Sequence, residues 1–433
     1  MNTPVLTTCY FTLFITCCFN TVFAQHDIWI DKDENEDYVA RHECSFVQAG
    51  KAFIMFGGRE QAQQLDIYNY TTNTWSTGGS APKEFNHFQA TFYEGFIWVI
   101  GSFKTNTFPN EIPADRIWLY FPPTKTWIRG PEIPKNRRRG GAGLALYDDK
   151  FYLIGGNTKG HNGGYVNWFD VYSPITNSWT VLNNAPNARD HFSAVVANNK
   201  LYAIAGRQSG GEGGVFTPLI APVDVYDFKT KTWAPLKQEL PTPRAAPCIA
   251  LFNNELFVMG GEGSEKGPAY HLVEAYNLKT KTWSKKADMR YPRHGTQAIV
   301  SGKGIYVAGG SPKRGGGRQR NMEVYNCDAP SGKNIIPSIL TVPKTICISV
   351  GNTKTIKIKN TSGNSGIFIT SIRIENDTNN AFKLLSDYGF KLIKHNQSSV
   401  LNIQHINTSK NTEAKVVITY NGNHKAVIQL SSK

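Results

Sequence analysis

FYLIGGNTKGHNGGYVNWFDVYSPITNSW, residues 151–179, sets how the rest of the chain is read. An apolar run ends in Gly155 and Gly156, a Gly-rich loop follows, a second run ends at Tyr172, and a turn leads to Trp179. The same pieces return as IMFGG with Tyr68 and Trp75, WVIGS with Tyr120 and Trp127, YAIAG with Tyr226 and Trp233, and FVMGG with Tyr276 and Trp283. A sixth copy, YVAGG with Tyr325, has no Trp where one is due. Five Tyr–Trp pairs with one internal spacing, recurring at about 50 residues, mark a repeated supersecondary unit.

Around Trp179 the unit holds four short β-rich runs, AGLALYD, FYLIGG, WFDVYS and SWTVL, separated by turn-forming segments. One four-stranded sheet with two apolar faces cannot bury both alone. It needs a neighbour on each side, and closing the circle removes most exposed edges. Tyr and Trp are expected to fill the space between sheets. The missing sixth Trp is expected at Trp29, because HDIWI precedes the first inner strand at Ala40-Arg41-His42 by about the spacing that separates Trp179 from Arg189-Asp190-His191. The motifs YxxxTNxW and LYxIGG resemble the kelch family over roughly residues 26–326. That resemblance implies a six-bladed β-propeller, here over 25–332, with the N-terminal strand closing the last blade.

At 433 residues, 40% apolar and 18% charged, the chain is long enough for two globular domains. The uncharged run PVLTTCYFTLFITCCFNTVFAQ, with Val22 and Ala24 at the −3 and −1 positions of a cleavage site, reads as a signal peptide over 1–24. The expectation is a secreted or cell-surface protein, monomeric, with no membrane span. Of seven Cys, Cys44, Cys248, Cys327 and Cys347 follow the leader; none has metal-like spacing. Cys44 and Cys248 are expected as buried thiols in separate strands, and a Cys327–Cys347 disulfide is open. The net charge of +14, without a nucleic-acid module, points to an anionic extracellular glycan or protein rather than to nucleic acid.

After Gly332 the composition turns to Asn, Ser, Thr, Ile and Lys, and seven alternating runs from SILTVP to KAVIQL predict an immunoglobulin-like β-sandwich over 333–433. The stretch SVGNTKTIKIKNTSGNSGIFITSIRIEN resembles the cilia-and-centrosome-associated sandwich family, which implies adhesion or spacing. Glycosylation triplets stand at Asn69, Asn360, Asn376, Asn396 and Asn407.

In a four-stranded blade the second-to-third loops and the inter-blade connections emerge on one face. Three such loops are long and unalike, FKTNTFPNEIPAD, RQSGGEGGVFTPLIAP and the basic SPKRGGGRQR, as binding loops of repeat arrays are. Sixteen residues before the first Gly of each pair, or its counterpart, stand Arg41, Phe85, Arg139, Arg189, Arg244 and Arg293, with His42, His87, His191 and His294 one or two places on. A ring of Arg41, Arg139, Arg189, Arg244 and Arg293, with His191 and His294, would suit a carboxylate or sulfate. An Arg here also resembles the kelch pattern generally, where it could hold loops or acidic neighbours. The four imidazoles could take a divalent ion, but a propeller mouth is expected to hold them too far apart for bonds of roughly 2 Å.

No GxSxG, HExxH or Walker motif is present, so no catalytic residue is assigned and no cofactor is expected. A kelch propeller followed by a sandwich does resemble the galactose oxidase family of copper radical oxidases. That resemblance implies, as the alternative, copper at Tyr270 and His271 with His395, His405 or His424 as a distant ligand, and oxidation of a sugar or small alcohol. Six blades instead of seven, and no Cys–Tyr partner, depart from the pattern. A kelch-fold sialic acid mutarotase is a further enzyme reading. The reading preferred is a non-catalytic binding or adhesion module.

Overall fold

A computed structural model describes residues 27–32, 37–377, 379–386, 389–408 and 411–432; the leader read at 1–24 lies outside the described residues. Six antiparallel four-stranded sheets form the blades, over 44–80, 91–132, 143–181, 193–235, 248–285 and 298–326, the last completed by Trp29–Asp31. The chain is thus a six-bladed β-propeller followed by a β-sandwich. In the third blade the strands are Gly143–Tyr147, Lys150–Ile154, Phe169–Ser173 and Ser178–Val181, the four runs read around Trp179.

The constant Tyr–Trp spacing has a geometric cause. The two lie directly opposite each other on the third and outer strands, as Tyr172 faces Trp179, with ring centroids 5.1 Å apart. A left-handed residue two before each Trp, Asn73, Lys125, Asn177, Lys231 or Lys281, turns the hairpin at that length. In five blades the second position of the pair is a Gly in a left-handed conformation, whereas blade two has Ser102 there. Gly156 has φ +93°, and a Cβ there would lie 2.7 Å from the Gly140 carbonyl oxygen.

Each blade buries its faces against its neighbours. One cluster holds Tyr152, Ile154 and Phe169 of the third blade with Leu201, Ala203 and Tyr226 of the fourth, and the other five blade junctions have clusters of their own. In the sixth blade Trp29 stands opposite Tyr325, ring centroids 5.4 Å apart, where the repeat left a gap. The indole N–H donates to Ala287 O at 2.9 Å. Asp27 Oδ1 accepts from the Tyr325 hydroxyl and the Ala287 N–H, both at 2.9 Å. Chain start and last repeat are thereby joined.

The C-terminal unit has two sheets, one ordered Leu340–Thr341, Thr353–Asn360, Ser398–His405, Phe382–Leu384, the other Thr345–Ile348, His424–Ser432, Glu413–Tyr420, Ile367–Glu375, Lys391–Ile393. Their inner faces share one core, including Ile356, Ile358, Leu401 and Ile403 against Ile367, Ile369, Val416 and Ile428. Phe368 and Leu392 leave that core and join the cluster of blades two and three, where Phe368 meets Trp98 edge-on at 5.5 Å. Gly366 N–H donates to Glu94 O at 2.7 Å and Leu392 N–H to Pro174 O at 2.9 Å. Glu94 and Pro174 lie on first-to-second and third-to-outer turns, so the sandwich docks on the face opposite the second-to-third loops. Among the described residues no helix is long and apolar enough to cross a membrane.

Asn360 is buried, its Nδ2 donating to Ser365 O at 2.9 Å and Ile393 O at 3.1 Å, which closes that glycosylation triplet in the folded protein. All four described Cys are free thiols. Cys44 and Cys248 lie inside the propeller, where burial pushes their thiols up to about 11 and about 12, whereas Cys327 and Cys347 are half-buried. Thiol titration of the native protein is expected to show two reactive groups, and four after denaturation. No native reactivity at Cys327 and Cys347 would indicate the disulfide instead.

Candidate functional site at the channel mouth

The five arginines expected to contact a ligand are buried, each 0% exposed. Their sixteen-residue spacing is a hydrogen bond. Arg41 donates to Gly57 O at 3.0 Å, Arg139 to Gly155 O at 2.7 Å, Arg189 to Ala205 O at 2.9 Å and Arg293 to Gly309 O at 2.6 Å, whereas Arg244 takes Val258 O at 2.9 Å. Each guanidinium also meets a carboxylate at the start of the third strand: Asp66, Asp170, Asp224, Glu274 and Glu323 respectively. Burial pulls the Arg139 guanidinium down to about 10 against the pull of Asp170, and it stays charged at neutral pH. The reading of Arg41, Arg139, Arg189, Arg244 and Arg293 as ligand-binding is therefore corrected: a buried cation must be paired, and here the pair is inside the blade.

Blade two shows the same logic by exception. Phe85 occupies the Arg position and Trp118 the carboxylate position, two before Tyr120, with ring centroids 6.4 Å apart. Both members change together.

Two residues beyond these six positions stand Glu43, His87, Gly141, His191, Ala246 and Gly295, all with positive φ between 49° and 69°. Their backbones form a belt. His87 N–H donates to Glu43 O at 3.1 Å, Gly141 to His87 O at 2.8 Å, His191 to Gly141 O at 3.1 Å, Ala246 to His191 O at 2.6 Å and Gly295 to Ala246 O at 2.9 Å. Cys44 N–H closes the circle on Gly295 O at 3.2 Å. Left-handed conformation costs about 1–3 kcal/mol at a non-Gly residue and persists where surroundings enforce it. It is this belt that brings Glu43, His87 and His191 to the axis.

Above the belt the residues following the Gly pairs complete a charged network. Arg207 pairs with Glu262; Glu262 Oε2 lies 3.4 Å from His294 Nε2, which lies 3.6 Å from Glu43 Oε1; Glu43 Oε2 lies 3.3 Å from His87 Nε2. A second branch joins Arg59 to Glu111, whose Oε1 is 3.0 Å from His161 Nδ1. Burial alone would raise these carboxyl groups. For Glu111, hydrogen bonds from His161 and Arg59 override burial and hold it at about 2. For Glu262, His294, Arg207 and the Gly315 N–H do the same, to about 2. Glu43 is also lowered, by His191, His294 and His42. Burial lowers His87, His161 and His294, favouring their neutral forms. The floor therefore carries ionised carboxylates in excess of its two guanidiniums.

A cavity of about 440 Å³ opens over this floor. The three long loops meet above it: Phe108 from the first, Phe216 from the second, Gly315 and Gly316 from the third. Phe108 is 61% exposed and packs against His161 at 5.0 Å. Phe216 lies beneath Arg314 at 4.3 Å. The short turn Gly160–Asn162 presents His161, whose N–H donates to Pro109 O at 2.9 Å and so ties blades two and three.

Of the histidines singled out in the sequence, His42 and His87 line the cavity, while His191 stands beside it against His87 at 4.6 Å and His294 beside it between Glu43 and Glu262. His87 and His191 are thus closer together than the sequence led one to expect. Tyr270 is half-buried with its N–H on Gly261 O at 2.7 Å, and His271 is exposed. Cys44 Sγ faces Gly295 O and Thr296 Oγ1, Cys248 Sγ faces Thr296 O, and His405 is sealed in the sandwich on Thr412. These residues do not fit a Tyr–Cys copper centre. Sequence reasoning missed Glu43, Arg59, Glu111, His161, Arg207 and Glu262. The signal was present for four of them: positions 43, 59, 207 and 262 sit at fixed places in the repeat frame where the copies disagree.

A model of the KLHDC2/KLHL20/DRC7 kelch-repeats domain matches residues 17–206 and 139–310. Kelch-like protein terF of Aspergillus terreus is 27% identical over 326 residues, covering 72% of this chain and 70% of that protein. Kelch-like protein 36 of Rattus norvegicus is 23% identical over 201 residues, 45% of this chain and 31% of the relative. The solved structure of YjhT superposes with a TM-score of 0.57 at 15% identity, covering 67% of this chain and 95% of that one, a likeness of fold.

Proposed function

We propose, from the premise that the chain belongs to the family of KLHDC2/KLHL20/DRC7 kelch-repeat domains, that it is a secreted, monomeric binding protein whose channel mouth takes the end of an extracellular glycan. The observation that carries this reading is the pairing of an exposed aromatic rim, Phe108, with a floor of fixed carboxylates, guanidiniums and imidazoles in a cavity of about 440 Å³. That volume is within the range of small-ligand sites, and the apolar C–H face of a sugar ring suits an aromatic plate while its hydroxyls suit planar polar groups. Because the floor is rich in ionised acids, the sugar seated there is expected to be neutral.

Basic charge is concentrated elsewhere. Within residues 333–433, thirteen Lys and Arg stand against four Asp and Glu. The anionic character expected of a partner is accordingly assigned to the sandwich, which we take as the immunoglobulin-like adhesion or spacing module its sequence resembles. The leader read at 1–24 supports export.

Mature protein collected from culture medium is expected to begin at Gln25 and to bind neutral glycans on an array. Phe108→Ala is expected to weaken that binding about tenfold, on the order of 1.4 kcal/mol, without changing the melting temperature, since the ring is exposed. A blank array, or full binding by Phe108→Ala, would remove the mouth from consideration.

A further inference from the structure

We propose that His87, His161 and His191 form a three-histidine site for a divalent transition-metal ion of the zinc class, set in the floor of the mouth cavity. The proposal does not depend on the glycan reading. The three rings come from three blades, and their centroids are 4.6, 5.0 and 5.0 Å apart with interplanar angles of 73°, 73° and 65°, so they surround a common point edge-on rather than stacking. Their ligand atoms lie within 4.8 Å of one another. Tetrahedral ligation at about 2.0–2.1 Å puts nitrogens roughly 3.3 Å apart, so each imidazole needs to advance by roughly 0.8 Å at most.

The outer contacts fix which nitrogens face inward. His161 Nδ1 is 3.0 Å from Glu111 Oε1, and His191 Nδ1 contacts Asp190 Oδ1. His87 Nδ1 is 2.7 Å from Asn86 Oδ1, an orientation secured because Asn86 Nδ2 donates to two carbonyls, Glu84 O and Thr105 O, both at 2.9 Å. A neutral imidazole facing an acceptor at Nδ1 carries its proton there, which leaves the Nε2 lone pair available. Carboxylate or amide partners on the far nitrogen are what metal-binding histidines use to hold tautomer and ring direction.

Two further observations favour a cation at this point. His191 is 4% exposed, and its Nε2 is buried with no hydrogen-bond partner. His87 Nε2 lies 3.3 Å from Glu43 Oε2, a lone pair against a carboxylate that only a proton or a cation reconciles. His87 and His161 both line the cavity, so a fourth coordination position would open towards it.

The test is titration of the chelator-stripped full-length protein with zinc, and with cobalt(II) for its visible absorption. One equivalent is expected to bind at micromolar concentration or below, with the intense bands of a four- or five-coordinate cobalt ion. His161→Ala retains the backbone bond to Pro109 O and the Arg59 partner of Glu111, and is expected to lose that binding while still unfolding cooperatively. Glu111→Gln retains all three imidazoles and is expected to weaken binding 10–100-fold. His271→Ala, away from the cluster, is expected to bind as the unaltered protein does. Absence of stoichiometric binding by the folded protein, or equal affinity in His161→Ala, overturns the proposal.

Discussion

Arg189→Ala is expected to lower the stability of the propeller by about 3–5 kcal/mol, read as a shift of the urea midpoint, because it leaves Asp224 charged and buried with its partner gone. The guanidinium is 0% exposed and holds Ala203 O at 3.2 Å, Ala205 O at 2.9 Å, Pro222 O at 2.9 Å and Asp224 Oδ2 at 2.8 Å. A ligand-binding arginine would behave oppositely, with affinity falling and the midpoint holding. The second blade suggests a repair. Arg189→Phe combined with Asp224→Trp copies the Phe85–Trp118 pair and removes both charges at once, so it is expected to recover part of the loss, a coupling measurable by a double-mutant cycle. An unchanged midpoint in Arg189→Ala would return the arginines to the list of ligand groups.

Trp29→Ala is expected to cost about 3–5 kcal/mol, the range for truncating a large buried aromatic. Trp29 is 7% exposed, packs on Tyr325 and bonds Ala287 O, so its loss opens the seam between first and last repeats. Deleting residues 27–31 goes further. It uncovers the edge of Met322–Asn326, whose free N–H and C=O groups invite pairing with another chain, so the shortened protein is expected to melt earlier and to self-associate in light scattering. If that deletion left melting temperature and monodispersity intact, ring closure by Trp29 would not matter to the fold.

The legible parts of the chain are those set by local spacing. Tyr and Trp seven apart specify a hairpin with the two rings opposed, because a strand places alternate residues on one face and the turn length fixes register. The gap after Tyr325 could be matched with Trp29 by the same arithmetic. The arginine spacing is equally regular, but spacing alone does not decide whether a guanidinium meets a ligand or a buried acid. The clue lay two residues before each blade Tyr, where an acid accompanies every Arg and Trp118 accompanies Phe85.

The mouth was illegible for a different reason. Nothing in the repeat says that His161, carried on a short turn, meets His87 and His191, or that Glu111 from a neighbouring loop stands behind it. Position along a strand sets which face a side chain takes. Whether residues of separate blades converge depends on closing the ring and on the left-handed belt at Glu43, His87 and His191. The sequence by itself determined the blade, its count and its closure, since these follow from short-range periodicity repeated six times. Only the tertiary structure decided that the arginines turn inward to buried acids while three histidines from different blades share one point, because burial of charge and convergence at an axis are properties of the assembled ring.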